Sequence, residues 1–234
     1  MYFYVVPVSF AICCGLFLCS FYLTGASVDK SCGRVSLFHH FVAMVLGMWA
    51  HYQYISRVED DASFGQNTDF PLAVVLQHFN LGYFLCDSIH VMVWDQKWVI
   101  HHAVALAGYT TSEIANVFGL ANAVNTWITE LGSLMYSTYI LVRSETAYIA
   151  FVVLYAISRT YFAFWSFTVF RQVWKALQTP AGLRAYPAWA PYCAATLQVA
   201  LLVVNVLFLC THLQKLWRLY GPGRRSGAAK KSTD

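Results

Sequence analysis

Charge is scarce in this chain. Only 11% of its 234 residues are Asp, Glu, Lys or Arg, against about 25% in an ordinary soluble domain. A water-soluble fold would need more charged surface than that. Hydrophobic residues make up 59% and mean hydropathy is +0.52. The chain therefore reads as a single-domain, polytopic membrane protein. Its apolar runs lack period-two alternation, which argues against a membrane β-barrel.

Other absences narrow the chemistry. The seven cysteines include no CxxC pair. Cys13, Cys14, Cys19, Cys86, Cys193 and Cys210 fall in apolar segments, where cysteine behaves as a small hydrophobe, and only Cys32 is expected in a loop. No disulfide framework is implied. The eight histidines contain neither an HExxH motif nor the HxxxH and HxxHH boxes of membrane di-iron enzymes. Two adjacent pairs, His39–His40 and His101–His102, are present, but neighbours on a helix point about 100° apart. No metal or other cofactor is expected, and His39–His40, His51, His78 and His90 are expected to pack rather than to ligate. Nucleotide loops, nucleic-acid motifs and serine-hydrolase elbows are also missing, so no nucleic-acid partner is expected.

What is present is a series of seven apolar segments, roughly 4–24, 35–55, 72–94, 98–116, 118–142, 147–170 and 192–217, each near the ~20 residues a spanning helix needs. The fourth and fifth are nearly contiguous and fit either a tight hairpin or a broken helix. Residues 1–4 carry no positive charge and the first run is long for a signal peptide. A retained anchor is expected, although Thr24–Gly25–Ala26–Ser27 looks like a cleavage site. The implied organisation is a leading helix and loop (1–34), a six-helix membrane domain (35–217) and a basic tail (218–234).

Much of the +4 net charge lies in that tail. Lys215, Arg218, Arg224, Arg225, Lys230 and Lys231 predict a cytosolic C-terminus. Seven crossings then place Lys30 and Arg34 in the cytosol and Glu59, Asp60, Asp61 and Asp69 in the lumen, which agrees with the rule. They also place Arg171, Lys175 and Arg184 in the lumen, which does not.

A charge at membrane depth costs ~3 kcal/mol or more and faces a protein interior or a watery cavity. Asp87, His101, His102, Glu113, Glu130 and Arg159 are so placed. Helical spacing gathers the polar residues into stripes. His40, Gly47, His51 and Tyr54 share a face of the second segment. Gln77, Asn80, Asp87 and Trp94 align on the third, with His90 beside Asp87. The fourth carries His102, Tyr109, Glu113 and Asn116. The fifth carries Asn122, Thr126, Thr129, Ser133 and Tyr136, with Glu130 at the edge. Tyr155, Arg159 and Ser166 line the sixth, and Gln198, Asn205 and His212 the seventh. Six polar faces can surround one cavity, with the first helix outside. The alternative for Asn80, Gln198, Asn205 and the threonines is plain interhelical hydrogen bonding, at ~0.6 kcal/mol per contact. For Arg159 it is a buried salt bridge to Asp87 or Glu130, and for Glu113 a place at the lumenal interface.

The block Gly82–Tyr83–Phe84–Leu85–Cys86–Asp87, then Val99–Ile100–His101–His102, then Ile128–Thr129–Glu130–Leu131, and finally Arg159 with its following aromatic residues, resembles the TLC-domain family. That family includes ceramide synthases, translocating-chain-associated membrane proteins and many small TLC-domain proteins. The resemblance implies an all-α fold of about seven transmembrane helices, six of them forming a barrel-like bundle around a lipid-accessible cavity. It also implies an endoplasmic reticulum or other endomembrane setting.

His101, His102, Glu130 and Asp87 are then the candidate catalytic group. Trp94, Tyr109, Thr126, Tyr136, Arg159 and Asn205 are the candidate cavity residues. Membrane lipid or acyl-CoA is the expected partner. Ceramide synthases carry a further His-Asp-x-x-Asp element after the histidine pair, whereas this chain has Ile128–Thr129–Glu130–Leu131–Gly132. Both aspartates and the third histidine are missing. A lipid-handling protein that influences membrane lipid composition is therefore expected ahead of an acyl-CoA-dependent N-acyltransferase using His101 or His102. A cargo receptor comes third, since short lumenal loops offer little capture surface.

Overall fold

The computed structural model describes residues 2–57, 67–94, 96–178 and 187–221. Glu59, Asp60, Asp61, Arg184 and the tail residues Arg224, Arg225, Lys230 and Lys231 lie outside them. The described residues form seven long helices and no strand. They are α1 (Val5–Leu18, continued by a π-turn, Cys19–Leu23), α2 (Val28–Arg57), α3 (Pro71–Trp94), α4 (Val99–Ala115), α5 (Gly119–Val142), α6 (Glu145–Gln178) and α7 (Ala190–Tyr220). All seven expected segments are helices. Val5–Leu23, Pro71–Val93, Glu145–Gln178 and Ala190–Tyr220 are long and apolar enough to cross a membrane on those grounds alone. The remaining helices, α2, α4 and α5, carry much of the inward polar surface.

Two boundaries differ from expectation. Cys32 lies in α2 rather than in a loop, because the helix opens with the polar turn Val28–Asp29–Lys30. Arg171 and Lys175 belong to α6, which outlasts its apolar run. In both cases helical hydrogen bonding continues past the point where hydropathy falls.

The helices close a ring in which α2 packs on α3, α3 on α4, α4 on α7, α7 on α6, α6 on α5, and α5 back on α2. Helix α1 packs outside that ring, against α3 and α2. The distribution of residues is the reverse of a soluble protein's. Phe41, Val45, Met48, Ile89, Phe164, Phe167 and Leu207 face outward, whereas His39, Gln77, His78, Asn80, Gln172, Gln198 and Asn205 are buried. Hydrocarbon outside and polar groups inside is the arrangement a bilayer favours.

The α4–α5 junction is a tight hairpin, not a broken helix. Tyr109 and Thr126 would stand about 25 Å apart along a continuous helix, yet their hydroxyls meet at 2.7 Å. The reversal uses two left-handed residues, Asn116 and Phe118. Asn67 pins it, donating from Nδ2 to Ser112 O (3.1 Å) and accepting from Gly119 N–H (2.9 Å).

Close helix approach depends on small residues. A Cβ on Gly47 would come within 2.7 Å of Ala123 O on α5, and one on Gly132 within 2.9 Å of the Tyr155 ring on α6. At Gly82 of α3 a Cβ would meet Val6 O at 2.5 Å and Ser9 Cβ at 2.6 Å, so α1 lies directly on α3. Ser9 Oγ donates to Phe79 O across that contact (2.7 Å). Substituting Gly82→Leu is expected to prise α1 from the ring and cost about 1–3 kcal/mol of overpacking. Gly15→Leu, at a position with open space around it, is expected to leave the detergent melting temperature unchanged. Equal melting temperatures for the two variants would refute this account of α1 docking.

Candidate functional site

The ring encloses a polar cavity of about 420 Å³, with Asp87, His90, His101, His102, Glu130 and Tyr136 in its wall. The polar face of α3 supplies one side. Ser36 Oγ and Tyr83 OH lie 3.0 Å apart, and Tyr83 OH donates to Asp87 Oδ2 at 3.2 Å. His102 Nε2 lies 3.4 Å from the same Asp87 oxygen, and its Nδ1 is 3.3 Å from Ser88 Oγ. Both nitrogens of His102 are thus engaged by α3. An imidazole held between a carboxylate and a hydroxyl is oriented, and its free lone pair is committed.

His101 is placed differently. Its ring lies among Phe84, Trp98 and Phe208, and its Nδ1 is buried without a hydrogen-bond partner. It lines the main cavity, a narrower void of about 80 Å³ beside it and a third of about 30 Å³. Glu130 faces His40 of α2, Oε2 against Nδ1. Arg159 forms no direct ion pair with Asp87 or Glu130, contrary to one expectation for it. Its Nη1 donates to Thr129 O (2.6 Å) and Ser158 Oγ (2.9 Å), and its guanidinium rests 4.0 Å above the Tyr155 ring. Stacking on its own helix holds the arginine short of the carboxylates.

The candidates chosen from sequence divide clearly. His101, His102, Glu130, Asp87 and Tyr136 share the main cavity. Tyr109 and Thr126 line the narrower void with His101 and Glu130. Arg159 lines the smallest with His101 and Tyr136. Asn205 lines none of these: it is buried and donates to Leu201 O of its own helix (2.8 Å). The Trp94 side chain lies outside the described residues. Glu113 is half-buried and partnered by Gln77 Nε2 and His78 Nε2, each at 3.0 Å. Sequence reasoning missed His40 as a site residue, although it stood on the inward stripe of its segment. It also missed Arg143 and Lys215, which line the main cavity.

A further void, about 290 Å³ and mostly apolar, lies between α1, α2 and α3. Phe17, Leu18, Val35 and Ile89 line it, and it shares Cys32, Asp87 and His90 with the polar cavity.

The family model of the TLC domain matches residues 31–214. The chain belongs to the TLC-domain family. No curated protein and no solved structure matches it. As a TLC-domain protein with membrane-spanning helices it is a membrane protein of lipid biology. The match begins within α2 and leaves out α1.

Asn80 is the polar hub of this TLC bundle. Its Nδ2 donates to Tyr109 OH (3.0 Å) and Thr126 Oγ1 (3.2 Å), and its Oδ1 meets His39 Nε2 at 3.0 Å. Replacing it with leucine strands the buried His39 Nε2, at about 1–3 kcal/mol, and takes one partner each from Tyr109 and Thr126, which keep their bond to one another. Asn80→Leu is therefore expected to lower the melting temperature in detergent sharply. Asn205→Leu, which loses one bond to its own helix, is expected to change it little. Scanning fluorimetry of both variants decides, and comparable losses would contradict the hub.

Proposed function

We propose that this TLC-domain protein binds one amphiphilic lipid and thereby influences membrane lipid composition, in the endoplasmic reticulum or a related endomembrane. The head group occupies the polar cavity and an acyl chain the apolar void between α1, α2 and α3. The observation that carries this reading is that the two voids are neighbours, with Cys32, Asp87 and His90 lining both. A polar chamber beside a greasy one matches the two ends of an amphiphile, and ligand pockets commonly enclose ~300–1,000 Å³. Arg143 and Lys215 in the polar wall add positive charge suited to a phosphate-bearing head. They lie near the end of the bundle from which the basic tail emerges, so that end is assigned to the cytosol.

Protein purified in mild detergent is expected to carry lipid detectable by native mass spectrometry. Cys32→Trp, which adds bulk where one residue lines both voids, is expected to lose it while remaining monodisperse. Lipid-free wild-type protein that also takes up none from mixed micelles would end this reading.

One observation favours acyl transfer as a second reading, namely the unpartnered, buried Nδ1 of His101, a residue that lines the cavity. Attack of that nitrogen on an acyl-CoA thioester would release the CoA thiolate and form an acyl-imidazole. A sphingoid amine would then take the acyl group and return the nitrogen free. His102, clasped by Asp87 and Ser88, would position rather than attack. On this reading His101→Ala abolishes N-acyl product and His102→Ala reduces it. Product levels equal to the His101→Ala background exclude the reaction.

A further inference from the structure

His39 and His40 were expected to pack, and the structure gives them unusual surroundings. His39 is fully buried and stacks on Tyr83 with ring centroids 3.6 Å apart and planes 8° from parallel. The hydrogen-bond network around Asn80 fixes its tautomer. Thr126 donates its own proton to Asn122 O (2.8 Å), so it accepts from both Tyr109 and Asn80. Asn80 therefore turns its amide hydrogens towards Tyr109 and Thr126 and its Oδ1 towards His39. His39 must donate from Nε2, which leaves the lone pair on Nδ1. That nitrogen is buried without a hydrogen-bond partner. His40 Nδ1 and Glu130 Oε2 face one another, yet neither makes a well-aligned hydrogen bond. One donor atom from each of His39, His40 and Glu130 lies within 4.8 Å of the others, and all three residues are buried.

Two imidazoles and a carboxylate are a donor set for zinc or for non-haem iron(II). Metal-bound histidines usually donate their other ring N–H to an acceptor that fixes the ring, and Asn80 Oδ1 does this for His39. A simple His40–Glu130 ion pair would leave the buried lone pair of His39 without a purpose.

We propose that His39, His40 and Glu130 form a binding site for one divalent transition-metal ion, zinc or iron(II). An ion about 2.1 Å from each donor needs the donors roughly 3.4 Å apart, so loading must part His40 Nδ1 and Glu130 Oε2, which are in direct contact, to admit the ion between them. His40 and Glu130 line the main cavity, so the remaining coordination position faces it. Three protein ligands with an open position is the arrangement of a reactive rather than a purely structural ion. The inference does not depend on lipid binding, and its test does not measure lipid.

The full chain, purified in detergent without a metal-affinity step or chelator, is assayed by inductively coupled plasma mass spectrometry. Chelator-stripped protein is then titrated with Zn²⁺, Fe²⁺ and Co²⁺. About one equivalent per chain is expected, with ligand-field absorption bands on Co²⁺ loading and a Zn²⁺-dependent rise in melting temperature. His39→Ala and the shape-preserving Glu130→Gln are expected to weaken uptake about tenfold or more. His51→Ala, elsewhere on α2 with a ring that accepts from Trp127 of α5, is expected to bind normally. If His39→Ala fails to fold, Glu130→Gln and the wild-type titration still decide. Wild-type protein taking up none of the three ions, or Glu130→Gln binding as well as wild type, overturns the site.

Discussion

A polar side chain at membrane depth has no water to fall back on, and this constraint organises the molecule. Each ring helix carries a stripe of hydrogen-bonding groups too costly to present to lipid. The stripes can be satisfied only by one another, so the helices turn them inward and close. Asn80 joins α3 to α2, α4 and α5 through His39, Tyr109 and Thr126. Asn125 and Gln198 exchange reciprocal amide bonds at 2.9 and 3.2 Å between α5 and α7, and Gln198 reaches Ser166 of α6 at 2.9 Å. The cavity lies where these groups are too many, or too far apart, to saturate one another.

Glycine sets the distances at which this happens. Gly47 and Gly132 let α2 and α6 approach α5 almost backbone to backbone. That closeness carries Glu130 to His40 on one side and leaves Arg159 beside Thr129 on the other. Packing thus fixes which charges meet. The same arginine on a more distant α6 would be free to swing towards a carboxylate, whereas here its own Tyr155 holds it.

The seven helices were legible in the sequence because apolar length and polar spacing report directly on a helix with one face in lipid. Their ends were less so. Asp29, Lys30, Arg171 and Lys175 are charged yet helical, since hydropathy marks the hydrocarbon and not the helix. Asp87 and His102 stood on inward stripes with Glu130 at the edge of another, His101 joined them through the family resemblance, and the four share the main cavity. The role of His40 was not readable, because its meeting with Glu130 depends on the relative rotation of two helices distant in sequence. For the same reason no spacing motif could reveal the His39–His40–Glu130 cluster, whose donors come from an adjacent pair and a far helix. Gln198 conforms to the plain interhelical bonding weighed for it, while Asn205 turns back on its own helix.

The seating of α1 on Gly82 reaches beyond packing. Phe17 and Leu18 form one wall of the apolar void, yet they precede the stretch matched by the family model. The bore of that chamber is consequently set by two partners, a domain shared across a family and a helix that this match does not include. Two proteins with identical TLC domains but different leading helices would have differently shaped side chambers, and alignment of the domains alone would not reveal it.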